Sequence, residues 1–593
     1  MANQIITGAS LLIRAMQNSA VDTVFSLSGN QIMSIYDACI DTDVRIVHTR
    51  HESSAVFMAD AYAQLTGKAG IALVTAAPGF ANALGALYSA KMAESPVILL
   101  SGDSPVARDG QFAFQEFDQV AAASAFVKLS MRLQSVDDVE AYWYEAIAVA
   151  TSGTPGPVHL ALSADVLLAH RAAEPHLSSP PIAVGDSVAE SHQPTLNPAL
   201  VSDTAAFAEP GFNVAQADLQ ILTEKLAAAS SPIVFVGPQL NRTRQSDLQQ
   251  RLAQSHLVPV VAMESPRGLN DPALGAIKSK CKDADLVVLL GKLPDFSLGF
   301  ASQEVFAGAS FLLVQSRLSL LEQCGWNELL ANATKICAEP LAVIDQLLQA
   351  QSDPSNSVQL SPAQLDKRNK WLTDVQTAMQ LQPKVINAAS KAAMHPSELV
   401  HMVAELIGPN ITLGNATVSG KETTVICDGG EFGQWAQAFV TSPARVINGL
   451  SGAIGGSIPY AVGAGVARPG AIVVALLGDG TAGFYLAELE TLAREAPAAV
   501  VIVGNDSCWN AEYQIQKRDY GEGRTYACEL PAGLRYDQVA TALGLHGAEV
   551  SALSDLRHEL EQAFNRAREH REGTLINALI QRVPAPTFNK TAS

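Results

Sequence analysis

Two polar segments that follow apolar runs could together hold a metal ion and a phosphate group. A Gly-Asp-Gly triplet at 478–480 follows the apolar run 471–477, and Asp506 follows the next run, 499–504. Glycines let the backbone turn tightly and approach phosphate oxygens, and carboxylate oxygens suit a hard divalent cation. Adjacent parallel strands end at the same edge of a sheet, so the two segments are predicted to lie side by side. Alone, the triplet is weak evidence, because a turn with an Asp helix cap has the same sequence.

A glutamate near the N-terminus, Glu52, could take part in proton transfer. It follows the apolar stretch 46–48 and precedes a helical pattern that contains Met58 and Tyr62. A lone acid at the start of a helix is more often a solvated residue that complements the helix dipole. The interpretation of Glu52 therefore depends on the segments around it.

Those segments resemble the motifs of thiamine-diphosphate-dependent enzymes, and most closely the group of acetolactate synthases and benzaldehyde lyase. The resemblance rests on His51-Glu52-Ser53 in its helical context, Thr-Ala-Ala-Pro-Gly-Phe-Ala-Asn at 75–82, Phe-Gln-Glu-Phe-Asp at 114–118, and the strand ends at 478–480 and 505–509. It covers nearly the whole chain. The fold that it implies has a pyrimidine-binding domain, a middle domain and a diphosphate-binding domain.

The resemblance implies a Mg²⁺ site at Asp479, Asp506 and the main-chain carbonyl of Cys508. Asp506 follows Asp479 by 27 residues, a spacing that aligns it with the second Asn of the family motif. Aspartate is still an oxygen ligand, and oxygen ligands beside a phosphate suit magnesium. The second carboxylate departs from the family and adds negative charge beside the diphosphate, so it could strengthen metal binding or alter metal preference.

The resemblance also assigns residues to the cofactor. Glu52 would bond the pyrimidine N1′ and favour the tautomer that removes the C2 proton, and Ile454 would be the apolar wedge that bends the cofactor. Ordinary core packing is the alternative for Ile454. The segment 428–433 resembles the family's loop under the diphosphate, and a plain Gly-rich turn is its alternative. The other residues assigned to the cofactor are Pro78, Asn82, Gly430, Glu431, Gly480, Thr481 and Trp509.

Two glutamines are candidates for contact with the reacting centre. Gln115 lies in the stretch that resembles acetolactate synthases, whose Gln faces that centre; a surface helix residue is its alternative. Gln31 stands where some relatives place a catalytic His, and its neutral amide predicts substrate positioning and not proton transfer. Glu52, Gln115 and Gln31 are thus the predicted catalytic residues.

Apolar runs that alternate with amphipathic stretches indicate the elements that position these residues. They predict an α/β chain with three doubly wound parallel sheets, in domains at 1–171, 215–350 and 391–585. The intervening stretches, 172–214 and 351–390, are rich in Pro, Ser and polar residues and are predicted to be linkers. The runs that indicate strands are 70–77, 96–102, 157–163, 231–237, 285–291, 310–315, 471–478, 499–504 and 574–580.

Composition excludes several classes of protein. The 593 residues carry a formal net charge of -19, which disfavours nucleic acid as a partner. No apolar stretch approaches the ~20 residues of a membrane-spanning helix, no export signal is visible, and the seven cysteines lack CxxC spacing. We therefore expect a cytoplasmic protein with no membrane partner. FAD in the middle domain is possible but not predicted, because the expected glycine and histidine pattern is missing.

The activity predicted from the resemblance is a thiamine-diphosphate-dependent carboligase and decarboxylase of 2-oxo acids, similar to acetolactate synthase. An acyloin lyase or a hydrolase of 1,2-diketones on the same cofactor is the alternative, and a non-catalytic cofactor-binding module is a third. In this family the cofactor lies between two subunits. The resemblance therefore implies a homodimer or homotetramer that acts on a small carbonyl compound.

Overall fold

The structure is a computed structural model that describes residues 5–172, 214–245, 247–352, 360–386, 393–407, 410–413, 416–419 and 423–587. Within these residues it contains three parallel sheets in chain order, each flanked by helices. Successive strand residues enter different hydrophobic cores: Leu73 packs into one core of the first domain, whereas Val74 packs into the other. Both faces of this sheet are therefore covered, and the predicted α/β class with three doubly wound sheets is confirmed.

The first domain contains a parallel sheet with the strand order β3-β2-β4-β5-β7-β6, and β1 pairs with β8 in a separate antiparallel ribbon. Its strands are β1 (Ile5–Thr7), β2 (Thr23–Ser26), β3 (Arg45–His48), β4 (Gly70–Val74), β5 (Val97–Asp103), β6 (Leu129–Arg132), β7 (Val158–Ser163) and β8 (His170–Ala172). Its helices are α1 (Gly8–Asn18), α2 (Met33–Cys39), α3 (Glu52–Thr66), α4 (Pro78–Met92), α5 (Gln119–Ala123), α6 (Val139–Thr151) and α7 (Ala164–Leu168).

The middle domain contains a parallel sheet with the order β10-β9-β11-β12-β13. Its strands are β9 (Pro232–Val236), β10 (Val260–Ala262), β11 (Leu286–Leu290), β12 (Ser310–Gln315) and β13 (Thr334–Cys337). Its helices are α8 (Gln216–Ala228), α9 (Leu248–His256), α10 (Lys278–Cys281), α11 (Gln303–Phe306), α12 (Leu318–Gln323), α13 (Glu328–Ala331), α14 (Pro340–Ser352) and α15 (Pro362–Met379).

Helix α15 corrects the prediction that 351–390 is a linker. The Arg368 guanidinium is buried and donates hydrogen bonds to backbone carbonyls of the middle domain, among them that of Ala229 at 2.8 Å. Trp371 and Val375, one turn apart, join the hydrophobic core of the same domain. The polar composition of the helix did not indicate this packing. The buried charge of Arg368 is satisfied by backbone carbonyls, and a sequence pattern does not identify such acceptors. The other predicted linker, 172–214, lies outside the described residues except at its ends.

The third domain contains a parallel sheet with the order β17-β16-β18-β19-β21-β20, and β14 pairs with β15 in a separate antiparallel ribbon. Its strands are β14 (Asn410–Leu413), β15 (Ala416–Ser419), β16 (Thr423–Cys427), β17 (Ala444–Ile447), β18 (Ile472–Gly478), β19 (Ala499–Asn505), β20 (His546–Val550) and β21 (Thr574–Leu579). Its helices are α16 (Pro396–Ile407), α17 (Gly430–Phe439), α18 (Ser457–Ala467), α19 (Asp479–Ala482), α20 (Glu488–Glu495), α21 (Asn510–Tyr520), α22 (Tyr536–Ala542) and α23 (Leu553–Asn565).

The sheets of the first and third domains have the same topology. In the first domain β3 lies at one edge and β2 separates it from β4. In the third domain β17 lies at the edge and β16 separates it from β18. The chain therefore reverses direction across each sheet at the same point, where open α/β sheets bind ligands beyond the carboxyl ends of their strands. Among the described residues, no helix is long and apolar enough to cross a membrane.

Helices α3 and α18 join the first domain to the third. A Cβ atom on Gly463 of α18 would lie 2.3 Å from the carbonyl oxygen of Met58 on α3, so only glycine allows this approach. The Tyr460 hydroxyl donates to Oδ2 of the buried Asp60 at 3.0 Å, and the Gln64 amide donates to Oδ1 at 2.8 Å. Since Glu52 is the first residue of α3, this packing fixes where Glu52 stands relative to the third domain.

Glu94, two residues after α4, is a half-buried residue of the first domain whose carboxylate contacts the middle domain. The backbone N–H of Gln239 donates to its Oε2 at 3.0 Å, and a Cβ atom on Gly237 would meet its carboxylate at 2.7 Å. Burial raises the pKa of Glu94 to about 7, although the Gln239 N–H and the charges of Arg244 and Lys292 lower it. This carboxyl binds its proton more tightly in the folded protein than in the unfolded chain.

Glu94→Gln is therefore expected to stabilise the protein at high pH. A raised carboxyl pKa contributes stability below the unfolded pKa and loses that contribution as the pH rises through the folded pKa. The melting temperature of the variant should exceed that of the wild type, and the difference should be larger at about pH 8 than at about pH 5. The additional stabilisation at pH 8 should amount to up to about 3 kcal/mol in the free energy of unfolding. An equal difference in melting temperature between variant and wild type at both pH values would contradict a raised pKa of Glu94. The measurement is thermal denaturation monitored by circular dichroism.

Candidate active site

The carboxyl ends of β16, β18 and β19 open into one cleft of about 910 Å³ in the third domain. The sequence after each of these strands is rich in glycine and acidic residues, as predicted, and a loop of the middle domain, Ser265–Arg267, forms part of the wall. Of the predicted residues, Asp479, Asp506 and Cys508 line this cleft. The others that line it are Gly430, Glu431, Ile454, Gly480, Thr481 and Trp509.

Asp479 is almost completely buried, and its Oδ2 has no hydrogen-bond partner among the described residues. Burial raises its pKa to about 6, and the backbone N–H groups of Gly480, Cys508 and Ser507 act in the opposite direction. Its own carbonyl accepts a hydrogen bond from the Tyr536 hydroxyl at 2.9 Å. A buried carboxylate oxygen without a partner is costly unless a ligand satisfies it.

Asp506 stands close enough to Asp479 for the two charges to interact. Burial and the charge of Asp479 raise the pKa of Asp506 to about 7, while Arg582 acts in the opposite direction. A divalent cation between two such carboxylates would remove their repulsion. The described residues contain no group of three or more His, Cys, Asp and Glu side chains that could hold a metal ion. A metal site here would therefore need main-chain oxygens or ligand oxygens as well.

The loop after β19 is held in an irregular conformation. Ser507 has a φ of 54°, and its backbone N–H donates to Asn505 Oδ1 at 3.1 Å. The Arg582 guanidinium donates to the Ser507 carbonyl at 3.1 Å. Burial raises the pKa of the Cys508 thiol to about 12. The Trp509 ring lies over Gly480, where a Cβ atom would be 2.7 Å from it.

Gly430 and Glu431 begin helix α17 at the floor of the cleft. Gly430 has a φ of +77°, and the space where a Cβ atom would stand is open. The N-terminus of α17 thus presents backbone N–H groups, which suit an anion. The Glu431 carboxylate, also buried, accepts a hydrogen bond from the backbone N–H of Ala585 and lies 3.6 Å from the Arg267 guanidinium. Its contacts are therefore with neighbouring segments of the protein.

Asp428 is a positioning residue that the sequence analysis did not single out. Its buried carboxylate accepts hydrogen bonds from the backbone N–H groups of Gly455, at 3.0 Å, and Ser457, at 3.2 Å, and from the Ser457 hydroxyl at 2.5 Å. These bonds fix the segment that carries Ile454, whose Cγ2 packs against Gly429. The signal that could have identified Asp428 is an acid directly after a buried strand and before two glycines.

Asp428→Asn should loosen this segment. An amide nitrogen cannot accept the hydrogen bonds that the carboxylate accepts, and each such bond to a charged group contributes about 1.5–3 kcal/mol. We expect the melting temperature of the apoprotein to fall by several degrees, together with weaker cofactor binding, measured by calorimetry. Ser457→Ala, which removes one of these bonds, should have a smaller effect in the same direction. A variant with unchanged melting temperature would show that Asp428 does not hold the segment.

The first domain brings together the other predicted residues at the ends of β2, β3 and β4. Asn82 on α4 donates its Nδ2 hydrogen to Glu52 Oε2 at 3.0 Å, and the exposed Pro78 begins the same helix. The His51 side chain caps α3 by accepting the Ser53 N–H at 3.2 Å, and its ring is 5.7 Å from that of Tyr485. Glu52 is thus held in a fixed orientation but is only partly buried.

Gln31 and Gln115 form one hydrogen-bonded pair. Gln31 donates from Nε2 to Gln115 Oε1 at 2.6 Å, and the Thr75 hydroxyl donates to Gln31 Oε1 at 2.6 Å. Gln115 has a φ of 61°, a conformation that costs energy for a residue with a side chain. The Glu116 carboxylate accepts the backbone N–H groups of Gly110 and Ala113 and so fixes the loop. The structure therefore places Gln115 in an ordered loop and not on a surface helix.

The residues fall into two groups that do not share a cleft within one chain. The cleft in the third domain is lined, within the described residues, by the middle and third domains alone. Glu52, Asn82 and Gln115 belong to the first domain and do not line it. Beside them, Phe112 and Phe114 are 97% and 76% exposed, which is unusual for large apolar side chains on one loop.

Comparison with known proteins matches both groups to one family. The family described as "Thiamine pyrophosphate enzyme, N-terminal TPP binding domain" matches residues 6–122, and "Thiamine pyrophosphate enzyme, C-terminal TPP binding domain" matches residues 428–578. The chain is similar to the acetolactate synthase large subunit IlvG of Mycobacterium tuberculosis, with 27% identity over 95% of this chain and 94% of the relative. It is also similar to 2-hydroxyacyl-CoA lyase 2 of Danio rerio (28%, over 97% and 91%) and of Homo sapiens (29%, over 92% and 85%).

The fold, the two groups of residues and these matches define a thiamine-diphosphate-dependent enzyme that acts on carbon–carbon bonds. The resemblance found in the sequence is thereby confirmed. Within that class, the chain is similar to both acetolactate synthases and 2-hydroxyacyl-CoA lyases.

The residues of the cleft fit the cofactor that the family implies. The Oδ2 of Asp479, which has no described partner, could bind a cation, and the open space at Gly430 could hold a phosphate. Further buried side-chain oxygens without a described partner belong to Gln434, Gln437 and Asn448, all of which line the cleft. When bound, thiamine diphosphate supplies a nucleophilic carbon that adds to the carbonyl group of the substrate.

Proposed function

We propose that the protein is a carboligase that decarboxylates a 2-oxo acid and joins the remaining acyl carbon to a carbonyl acceptor. The observation that carries this proposal is the hydrogen-bonded pair Gln31–Gln115 beside Glu52. Release of carbon dioxide gives the protein no proton to remove, so neutral amides that position the substrate are sufficient for that step. The similarity to an acetolactate synthase over 94% of that relative's length supports the same assignment.

The proposed roles follow the two groups of residues. Asp479, Asp506 and the Cys508 carbonyl would hold Mg²⁺ with the diphosphate, and Gly430, Gly480 and Thr481 would present the backbone to it. Glu52 would hold a proton at the pyrimidine N1′, and Asn82 orients its carboxylate. Ile454, fixed through Asp428, would support the ring system from below. Gln31 and Gln115 would hydrogen-bond the oxygen atoms of the substrate.

We also propose that the functional unit is a homodimer or a homotetramer in which these groups come from different chains. Glu52 does not line the cleft of its own third domain. The exposed Phe112 and Phe114 beside it would be covered by the third domain of a second copy. Cytoplasmic residence stays a prediction.

A lyase that cleaves a 2-hydroxyacyl thioester is the second candidate function. The 2-hydroxyacyl-CoA lyase 2 sequences of several animals are as similar to this chain as the acetolactate synthase is, at 27–29% identity. After addition to the cofactor, cleavage next to a hydroxyl group requires that hydroxyl to lose its proton to a base. The paired glutamines offer none, and the carboligase needs such a base only when it releases its product, so we place the lyase second.

Product analysis separates the two functions. The enzyme with added thiamine diphosphate and Mg²⁺ is incubated with pyruvate, with other 2-oxo acids, and with a 2-hydroxyacyl-CoA, and the products are identified by mass spectrometry. Carbon dioxide together with acetolactate or another acyloin acid supports the carboligase. Release of an aldehyde from the 2-hydroxyacyl-CoA, with no turnover of 2-oxo acids, would replace it with the lyase. Acyloins and 1,2-diketones are tested as substrates in the same way.

A further inference from the structure

The cleft in the third domain is unusually acidic for a site that receives a diphosphate. The carboxylates that line it are those of Glu431, Asp479, Asp506, Glu512 and Glu522. Even with a divalent cation between Asp479 and Asp506, the Glu431 carboxylate adds a further negative charge to the lining of this cleft. Like charges repel one another, most of all where water is excluded. A cationic side chain beside Glu431 would offset this repulsion.

Within the part of the chain that the structure describes, three basic side chains line the same cleft, and two of them form ion pairs with other residues. Lys517 forms an ion pair with Glu522 at 2.9 Å. Arg518 is mostly exposed and forms two hydrogen bonds to the neighbouring Asp519, at 2.7 Å and 3.0 Å. The third, Arg267, has one ion pair with a described residue, at 3.6 Å from Glu431. That distance is too long for a hydrogen bond, so the guanidinium keeps its donors for another acceptor.

The loop that carries Arg267 is built to hold this side chain at the cleft. The backbone N–H of Arg267 donates to the Ser265 hydroxyl at 3.2 Å. The next residue, Gly268, has a φ of +54°, and a Cβ atom there would lie 2.1 Å from the Ser297 carbonyl oxygen. Asp271 closes the loop by accepting the backbone N–H of Ala273 at 2.9 Å. The position of Arg267 is thus set by the backbone of the middle domain.

We propose that Arg267 of the middle domain binds the diphosphate of the cofactor and exchanges its contact with Glu431 for a phosphate oxygen. A guanidinium presents paired N–H donors that match a phosphate, and such charge-assisted bonds are strong. Glu431, which accepts the backbone N–H of Ala585, is then the anion that competes with the diphosphate for Arg267. The middle domain, in which the sequence analysis assigned no residue to the cofactor, thereby contributes to cofactor binding.

The test measures binding of thiamine diphosphate and of thiamine monophosphate to the apoenzyme, by calorimetry at constant Mg²⁺ and without substrate. Arg267→Gln is expected to weaken diphosphate binding about 10- to 100-fold, the scale of a lost hydrogen bond to a charged group. Binding of the monophosphate should weaken less, so the preference for the diphosphate falls. Arg267→Lys should be intermediate, because it keeps the charge and loses the paired donors.

Two further variants make the test specific. Arg518→Gln removes a charge from the same cleft and should change the affinity by less than about twofold, because a surface ion pair contributes little. Glu431→Gln should bind the diphosphate at least as tightly as the wild type, since it removes the carboxylate that competes for Arg267. In a protein that already carries Glu431→Gln, Arg267→Gln should lower the affinity for thiamine diphosphate by a smaller factor than it does in the wild type.

Wild-type affinity and wild-type preference for the diphosphate in Arg267→Gln would overturn the proposal. If that variant also showed a higher KM for the 2-oxo acid, Arg267 would serve a substrate anion instead. Because the measurement contains no substrate, its result does not depend on whether the enzyme is a carboligase or a lyase. An apoenzyme that does not bind thiamine diphosphate in its wild-type form would count against the whole site.

Discussion

Glu52→Gln is expected to lower the rate of C2-proton exchange in bound thiamine diphosphate, and turnover with it, by roughly 10²-fold or more, which is the scale of a general acid–base contribution. The glutamine keeps the size of the side chain and can still contact Asn82, so the geometry of the first domain should persist. What it loses is the carboxyl group that would hold a proton at N1′. The measurement is deuterium exchange at C2 followed by NMR after rapid quenching.

Glu490→Gln is the matched control for this prediction. Glu490 is another acid at the contact between the first and third domains, where it forms ion pairs with Arg50 at 2.8 Å and Arg494 at 3.0 Å. It is partly exposed, and its loss should change the exchange rate by less than about twofold. Full exchange and full activity in Glu52→Gln would remove Glu52 from the reaction. Reduced cofactor affinity with a normal exchange rate would assign it to binding alone.

Asp479→Asn is expected to weaken Mg²⁺-dependent binding of thiamine diphosphate by at least about 100-fold, because even residues that only support a metal ligand contribute 10- to 100-fold. Amide substitution keeps the shape of the side chain but removes the charge that faces Asp506. The apoprotein should be about as stable as the wild type, since the amide removes a buried charge whose Oδ2 has no described partner and keeps an oxygen that can accept the backbone N–H groups. Loss of binding would then not be caused by misfolding.

Calorimetric titration of the apoenzyme with Mg²⁺ at saturating thiamine diphosphate measures this effect. Asp519→Asn is the control, because Asp519 is an exposed acid of the same domain that pairs with Arg518. Its metal affinity should stay within about twofold of the wild type. If Asp479→Asn bound Mg²⁺ as tightly as the control, the metal ligands would have to be sought elsewhere in the cleft.

Local sequence carried most of the information about the strands and their ends. The runs at 471–478 and 499–504 became β18 and β19, because β-branched residues buried on both faces leave few alternatives to a parallel strand. The placement of Asp479 and Asp506 side by side followed from that alone. Helix α15 was missed because Arg368 and Trp371 are satisfied by backbone atoms of the middle domain, which are distant in sequence.

The sequence by itself determined the fold class and the residues that follow each strand, since glycine, carboxylate and apolar periodicity act over a few neighbouring positions. The cofactor was indicated by the resemblance of these segments to a known family. Only the tertiary structure decided which of these residues meet. It joined Asp428 to the segment of Ile454, paired Gln31 with Gln115, and brought Arg267 of the middle domain to Glu431. Such contacts depend on how whole domains pack, and no local pattern encodes the distance between them.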